Sequence, residues 1–309
     1  MDPIGYIPVE GGNVWYKIVG ADKPGTPLLT LHGGPGYPHD YLEPLEQLAD
    51  ARPVIFYDQL GCGKSDHPPD RALWRIDRFV RELTQVRQAL GFASTHLFAH
   101  SWGTMLAVDY LLTGASVTSL ILASPALSIP RWMADADRLR QTLPADVQET
   151  MARHEAAGTT NTRQYRDATQ YYYRRHLCRL DPWPEPMNRS HEASSGVIYR
   201  EMWGPSELCA TGNLMNYDET ARLCEIAVPT LYTCGRYDEA TPEATAWYRS
   251  LTPAAEMQVF EHSAHMPHLE ETDAYLATLR RFLDQLNGET PSVSAGVPSR
   301  RNPNSEKVN

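Results

Sequence analysis

Thr95-His96-Leu97-Phe98-Ala99-His100-Ser101-Trp102-Gly103-Thr104-Met105 is the stretch that decides the fold. It opens as a short apolar run bounded by turn residues, the signature of a buried strand. It closes into a helical pattern, with Met105, Leu106, Val108, Tyr110 and Leu111 as the apolar positions. Ser101 sits on the turn between them. A strand, a sharp turn bearing Ser and a helix form a nucleophile elbow, which lifts a hydroxyl above a sheet edge. The crowded backbone demands small residues two positions either side of the Ser. Gly103 satisfies the second position of the GxSxG pattern, and Ala99 replaces its first glycine.

Outward from this stretch the chain alternates between strand-like and helix-like segments. Gly12 to Gly20, Pro27 to Leu31, Pro53 to Tyr57 and Val117 to Ala123 read as further strands. Between the third and fourth strands, Phe79, Leu83, Val86 and Leu90 share a helical face that Gly91 ends. Such alternation implies a mostly parallel sheet with helices on both faces, whose chemistry gathers at the strands' carboxyl ends. His32-Gly33-Gly34-Pro35-Gly36, Asp58 to Gly63 and the elbow all fall at those ends. Residues 128–216 interrupt the pattern. They are rich in Arg, Tyr, Trp and Met and read as a helical cap, with helices over Ala134 to Leu143, Ala145 to Ala157 and Thr162 to Leu177. Alternation resumes with strands at Val228 to Thr233 and Met257 to Phe260, then a last helix from Pro267 to Leu286. The expected organisation is therefore a core in two parts, 1–127 and 217–287, the cap at 128–216, and a disordered polar tail at 288–309.

The 309 residues carry a formal net charge of −10, which disfavours nucleic acid and anionic membrane partners. Five cysteines, none at CxxC spacing, point to a reducing, cytoplasmic setting without disulfides or a structural zinc. The start of the chain lacks a signal-peptide pattern, and no apolar run reaches the ~20 residues of a membrane span.

A Ser hydroxyl needs a His base oriented by a carboxylate. In an elbow of this kind the partners follow downstream, carboxylate first. Asp238 ends the strand-turn segment Cys234-Gly235-Arg236-Tyr237-Asp238, and His265 follows the next strand, so both reach the sheet edge of Ser101. Helix capping by Asp238 is the plainer alternative, weakened because Thr241-Pro242-Glu243 already supplies a cap. His262 and His268 compete with His265, which has the better place in the loop. Gly34 and Trp102 are the expected backbone donors of an oxyanion hole. A zinc site from His262, His265 and His268, with Glu270 and Glu271, fits no usual ligand spacing, so no metal is expected.

His32 to Gly36, Tyr57 to Ser65, Ser101-Trp102-Gly103 and Gly235 to Pro242 together resemble the proline iminopeptidase family of α/β-hydrolases. The resemblance runs over residues 5 to 287. Gly204-Pro205-Ser206-Glu207 with Thr211-Gly212 is similar to the cap of the tricorn-interacting aminopeptidases. His176 to Arg179, Pro182-Trp183-Pro184 and Ser263 to His268 look like the related L-amino acid amidases. The resemblance implies an α/β-hydrolase fold and two carboxylates, Glu207 and Glu239, that hold a substrate's free amino terminus. Taken without it, Glu239 reads as an acid at a helix N-terminus and Glu207 as a solvated cap residue. Leu60, where many members carry Arg, and Ala99, where many carry Gly, are departures. Most cap aromatics (Tyr171, Tyr172, Tyr173, Trp183, Tyr199, Trp203) are expected to pack, with one or two lining an apolar pocket.

The expected function is release of an N-terminal residue, proline or another, from short peptides or amino acid amides through an acyl-enzyme, without a cofactor. The rivals are an L-amino acid amidase, an esterase or lactonase on the same fold, and a non-catalytic ligand binder. An epoxide hydrolase would want Asp at position 101.

Overall fold

The structure, a computed structural model, describes residues 2–286. Its centre is an eight-stranded sheet formed by β1 (Ile4–Val9), β2 (Gly12–Val19), β3 (Leu28–Leu31), β4 (Val54–Tyr57), β5 (His96–His100), β6 (Ser119–Ala123), β7 (Thr230–Gly235) and β8 (Ala255–Phe260). The strand order is β1-β2-β4-β3-β5-β6-β7-β8. β1 and β2 run antiparallel at one side, and β4, β3 and β5 to β8 are parallel. Every residue of β3, β4, β5 and β6 is buried, which explains why they read as continuous apolar runs.

Helices α1 (Ile76–Leu90), α2 (Trp102–Leu112), α8 (Pro242–Leu251), α9 (Pro267–Glu270) and α10 (Thr272–Gln285) belong to the sheet layers. α1 buries Phe79, Leu83, Val86 and Leu90, and Gly91 ends it at φ 69°. α2 is buried on all sides from Trp102 to Val108, as its uniformly apolar sequence requires. Five helices stand between β6 and β7: α3 (Ile129–Arg140), α4 (Ala145–Ala156), α5 (Arg163–His176), α6 (Glu185–Glu192) and α7 (Gly196–Met202).

Four details depart from the sequence expectation. α3 begins at Ile129 rather than Ala134, because the Ser128 side chain caps it, accepting from Arg131 N–H, with Pro130 in the first turn. β1 was not expected. It is an edge strand whose Ile4 and Tyr6 stay exposed and which tolerates Pro8. A 3-10 segment with Pro44 inside it spans His39–Asp50. The last helix is two, broken at Glu271. The side chains at the break turn back onto the preceding loop. Glu271 Oε2 accepts from His262 N–H (2.9 Å) and from the Ser263 hydroxyl (2.5 Å). Glu270 accepts from Ala264 N–H (2.8 Å), Met266 N–H (3.3 Å) and Arg179 N–H (2.8 Å). The tail expected at 288–309 lies outside the described residues.

The sheet and α2 approach each other at one glycine. A Cβ on Gly103 would stand 2.6 Å from the carbonyl oxygen of Leu31, a backbone atom that cannot swing away. Ala99 needs no such clearance and is fully buried with its methyl in place. Gly103→Ala is expected to lower unfolding free energy by about 1–3 kcal/mol, from overpacking. Urea denaturation of the two proteins checks it.

Candidate active site

Ser101 follows β5 directly and carries φ 54° and ψ −123°, a backbone conformation that non-glycine residues rarely hold. Its N–H donates to Ala123 O (3.0 Å), the end of β6, while α2 starts at the next residue. The side chain is half-buried and opens into a cavity lined by Gly33, Gly34, Tyr173, Tyr199, Glu207 and His265, among others.

Asp238 and His265 arrive from the ends of β7 and β8. His265 Nδ1–H donates to Asp238 Oδ1 at 2.6 Å, which leaves Nε2 unprotonated in the neutral ring. Asp238 Oδ1 also accepts from Ala240 N–H (2.7 Å). Its Oδ2 accepts from the Ser124 hydroxyl (2.7 Å) and Gly235 N–H (3.3 Å). Both carboxylate oxygens are thus satisfied although the residue is 1% exposed. The competing histidines lie elsewhere. His262 is exposed, and His268 is buried against the rings of Tyr41, His100 and Tyr275 with its proton affinity lowered to about 3 by burial.

The glycine loop after β3 carries the two candidate donors beside Ser101. Gly33 N–H is already given to the Tyr41 hydroxyl (2.8 Å). Gly34 N–H has no hydrogen-bond partner among the described residues, and neither does Trp102 N–H, the first of its helix. Gly34 has φ 111°, and a Cβ there would meet Gly36 N and Tyr37 N at 2.6 Å, so only glycine fits. Gln59 ties this loop to the elbow. It accepts from Trp102 Nε1–H (2.9 Å) and donates to His32 O (3.1 Å), while its own N–H goes to His32 Nε2 (2.9 Å). Burial holds His32 neutral, with its pKa lowered to about 4.

Glu239 is 2% exposed, and among the described residues neither of its carboxylate oxygens has a hydrogen bond of normal geometry, although the Tyr172 hydroxyl beside it acts to lower its pKa. Burial raises its pKa well above the ordinary carboxylate value, and the neighbouring Glu207 raises it further. Glu207, on the cavity wall, accepts from the Tyr199 hydroxyl (2.6 Å). Burial raises its pKa to about 7, against the lowering effects of that hydrogen bond and of His265. The end of α5 is bolted to both catalytic-side loops. Glu239 N–H donates to His176 O (3.2 Å), His265 N–H to Leu177 O (3.1 Å), and His176 Nδ1–H to Tyr237 O (2.8 Å). Of the cap aromatics, Tyr173, Trp183 and Tyr199 line the cavity, Tyr172 and Trp203 are buried, and Tyr171 is exposed.

Residues that the sequence did not flag complete the site. Ser124, left-handed at φ 49°, holds Asp238, and Tyr41 holds the glycine loop. Neither belongs to a local motif, so no signal in the sequence pointed to them. Among the described residues one group has metal-like spacing, His39, Asp40 and Glu43. His39 Nδ1–H bonds Asp58 (2.7 Å), and Arg189 engages both acids, so the group is already occupied by protein charge.

An alpha/beta hydrolase fold family model matches residues 26–272. A proline iminopeptidase of Heyndrickxia coagulans is 49% identical over 91% of this chain and 99% of that protein. The chain belongs to the proline iminopeptidase family of α/β-hydrolases. The crystal structure of a proline iminopeptidase of Mycobacterium smegmatis superposes with a TM-score of 0.84 at 33% identity, covering 92% of this chain and 98% of that one. The crystal structure of VinJ superposes at 0.88 and 37% identity, with the same coverage. Asp238→Asn is expected to lower kcat by about 10⁴-fold with the fold intact, because the amide favours the wrong imidazole tautomer. Steady-state kinetics alongside circular dichroism checks it.

Proposed function

We propose that the enzyme releases the N-terminal residue of short peptides and amino acid amides through an acyl-enzyme on Ser101. His265 takes the hydroxyl proton as Ser101 attacks the carbonyl, and Asp238 steadies the imidazolium that forms. The N–H groups of Gly34 and Trp102 receive the oxyanion. His265 then protonates the leaving amine, and water resolves the acyl-enzyme. Residues 128–216 act as the cap that closes the cavity.

The observation that carries this reading is Glu239. A buried carboxylate with two unpartnered oxygens is costly unless a cation completes it. Glu207 lines the cavity with Ser101 and His265, and its charge acts on Glu239, which sits behind that wall next to Asp238. A substrate ammonium fits that gap, and it would stand at a fixed distance from the nucleophile. Relatives named proline iminopeptidase support the same substrate class. Tyr173, Trp183 and Tyr199 on the cavity wall suit a pyrrolidine ring or another apolar side chain. An L-amino acid amidase would use the same machinery, and a panel of prolyl and bulky amino acid amides and dipeptides separates the two. An ester-cleaving role leaves Glu239 without a use. All five cysteines are free thiols, which supports a cytoplasmic setting.

The test compares prolyl amide with its N-acetyl derivative. Wild type is expected to cleave the free amine with a kcat/KM at least about a hundredfold higher, since the acetylated compound leaves a buried carboxylate without its partner. Glu239→Gln is expected to erase most of that preference, and Ser101→Ala to abolish cleavage of both. Equal cleavage of the two compounds by wild type overturns the proposal.

A further inference from the structure

We propose that Tyr41 and His100 form a hydrogen-bonded brace that sets the spacing between the oxyanion loop and the base loop, making them positioning residues for the acyl-transfer reaction. The proposal rests on the nucleophile and oxyanion assignments above.

The brace has a polarity that chemistry dictates from one end. His100 Nε2 lies 2.9 Å from the carbonyl oxygen of His265, and a carbonyl only accepts. Nε2 therefore carries the hydrogen. In the neutral ring Nδ1 is then bare, and it lies 2.9 Å from the Tyr41 hydroxyl, which must donate to it. The Tyr41 oxygen is left free to accept, and it receives Gly33 N–H at 2.8 Å. Gly33 N–H, Tyr41 O–H and His100 Nε2–H thus point in one direction along a chain that ends on the backbone of the base.

Every member is shielded from water. Tyr41 and His100 have no exposed surface, so no solvent competes for these bonds. Burial keeps His100 neutral, and the nearby His265 and His268 act in the same sense. The ring of His100 stands 4.8 Å from that of His265 and 5.3 Å from that of Tyr41, both edge to face. Tyr41 is itself anchored from the cap, since its N–H donates to the Ser190 hydroxyl (2.9 Å), which donates to Pro38 O (2.9 Å).

The chain has a consequence for catalysis that packing alone would not. Tyr41 consumes the N–H of Gly33, so Gly34 alone of the two glycines can face an oxyanion. A Cβ on Gly33 would lie 3.1 Å from the Tyr41 oxygen and 3.2 Å from Ser101 Cβ, so the hydroxyl sets how close the glycine loop stands to the nucleophile. Loss of the Tyr41 oxygen frees the loop at the point where the transition state needs it fixed, and it touches neither Glu207 nor Glu239.

The experiment uses the full-length enzyme with Tyr41→Phe, His100→Asn and His100→Gln. An α-amino boronic acid, which forms a tetrahedral adduct with a catalytic serine, probes the transition state. In Tyr41→Phe, kcat is expected to fall about 10- to 100-fold with KM within about twofold of wild type. The boronate Ki should rise by the same factor as kcat/KM falls. Asn at position 100 can accept from Tyr41, and Gln can donate to His265 O, so each should retain part of the activity. Adding Tyr41→Phe to His100→Gln should cost less than the product of the two single losses, because both act through one chain. A boronate-sensitive wild type whose Tyr41→Phe variant matches it in kcat and Ki overturns the brace alone. So does a kcat loss without any change in Ki, which marks a merely structural role. A wild type indifferent to the boronate overturns the nucleophile assignment and the brace with it.

Discussion

The backbone of Ser101 is the constraint on which the rest of the structure depends. Its positive φ costs about 1–3 kcal/mol and persists only where the surroundings over-determine it. Two contacts do so here. Ser101 N–H is fixed to the end of β6 at Ala123, and two residues on, Gly103 lies so close to Leu31 O that a methyl has no room. The sheet must therefore place β3, β5 and β6 side by side, and the parallel order delivers that. Once β5 is central, the loops after β3, β6, β7 and β8 converge on the same edge. The glycine loop, Ser124, Asp238 and His265 are what those loops carry.

Electrostatics inside the cleft follows from its dryness. Asp238 is buried, yet its carboxylate is satisfied by four hydrogen bonds. Glu239, its neighbour in sequence, is equally buried and has none. Two adjacent carboxyl groups with opposite hydrogen-bonding fates are a division of roles written into one loop. Asp238 is fully partnered within the protein, whereas Glu239 keeps the unsatisfied oxygens on which the proposed amine anchor rests. The raised proton affinities of Glu207 and Glu239 follow from burial, because a buried carboxyl group avoids an uncompensated charge by holding a proton.

Much of this was legible in the sequence because turn chemistry and strand ends are local. Ser101, Asp238 and His265 each follow a short apolar run, and a run's end is visible without coordinates. Gly34 was legible as one of two glycines, although the reason for preferring it is Tyr41, seven residues on and joined to the loop only in three dimensions. Ser124 gave no signal, since a serine after a strand has no distinguishing neighbours. Glu207 and Glu239 came from resemblance, because burial of an acid cannot be read from its flanks. Glu270 and Glu271, two acids near three histidines, invited a metal reading that spacing already opposed. Their carboxylates instead accept backbone N–H groups of the loop that bears His265, and that use also explains why the final helix breaks at Glu271. The early start of α3 has a local cause in Ser128-Ile129-Pro130, a cap with proline in the first turn.

The sheet and the inserted helices contribute different parts of the cavity. Ser101, the glycine loop, Asp238 and His265 all sit at the sheet edge. Of the groups on the cavity wall, Glu207, Tyr173, Trp183 and Tyr199 come from the segment between β6 and β7. A change on α5 or α7 can therefore reshape the apolar wall without moving Ser101. The cap is not free of the chemistry, however. The end of α5 bonds the backbone of Glu239 and of His265, and Ser190 on α6 holds Tyr41. Segments that line the cavity thus also clamp the loops at its floor. An inserted helix can change its exposed face, but the carbonyls of His176 and Leu177 and the hydroxyl of Ser190 must stay where they are, because moving them would move His265, Glu239 and the glycine loop together.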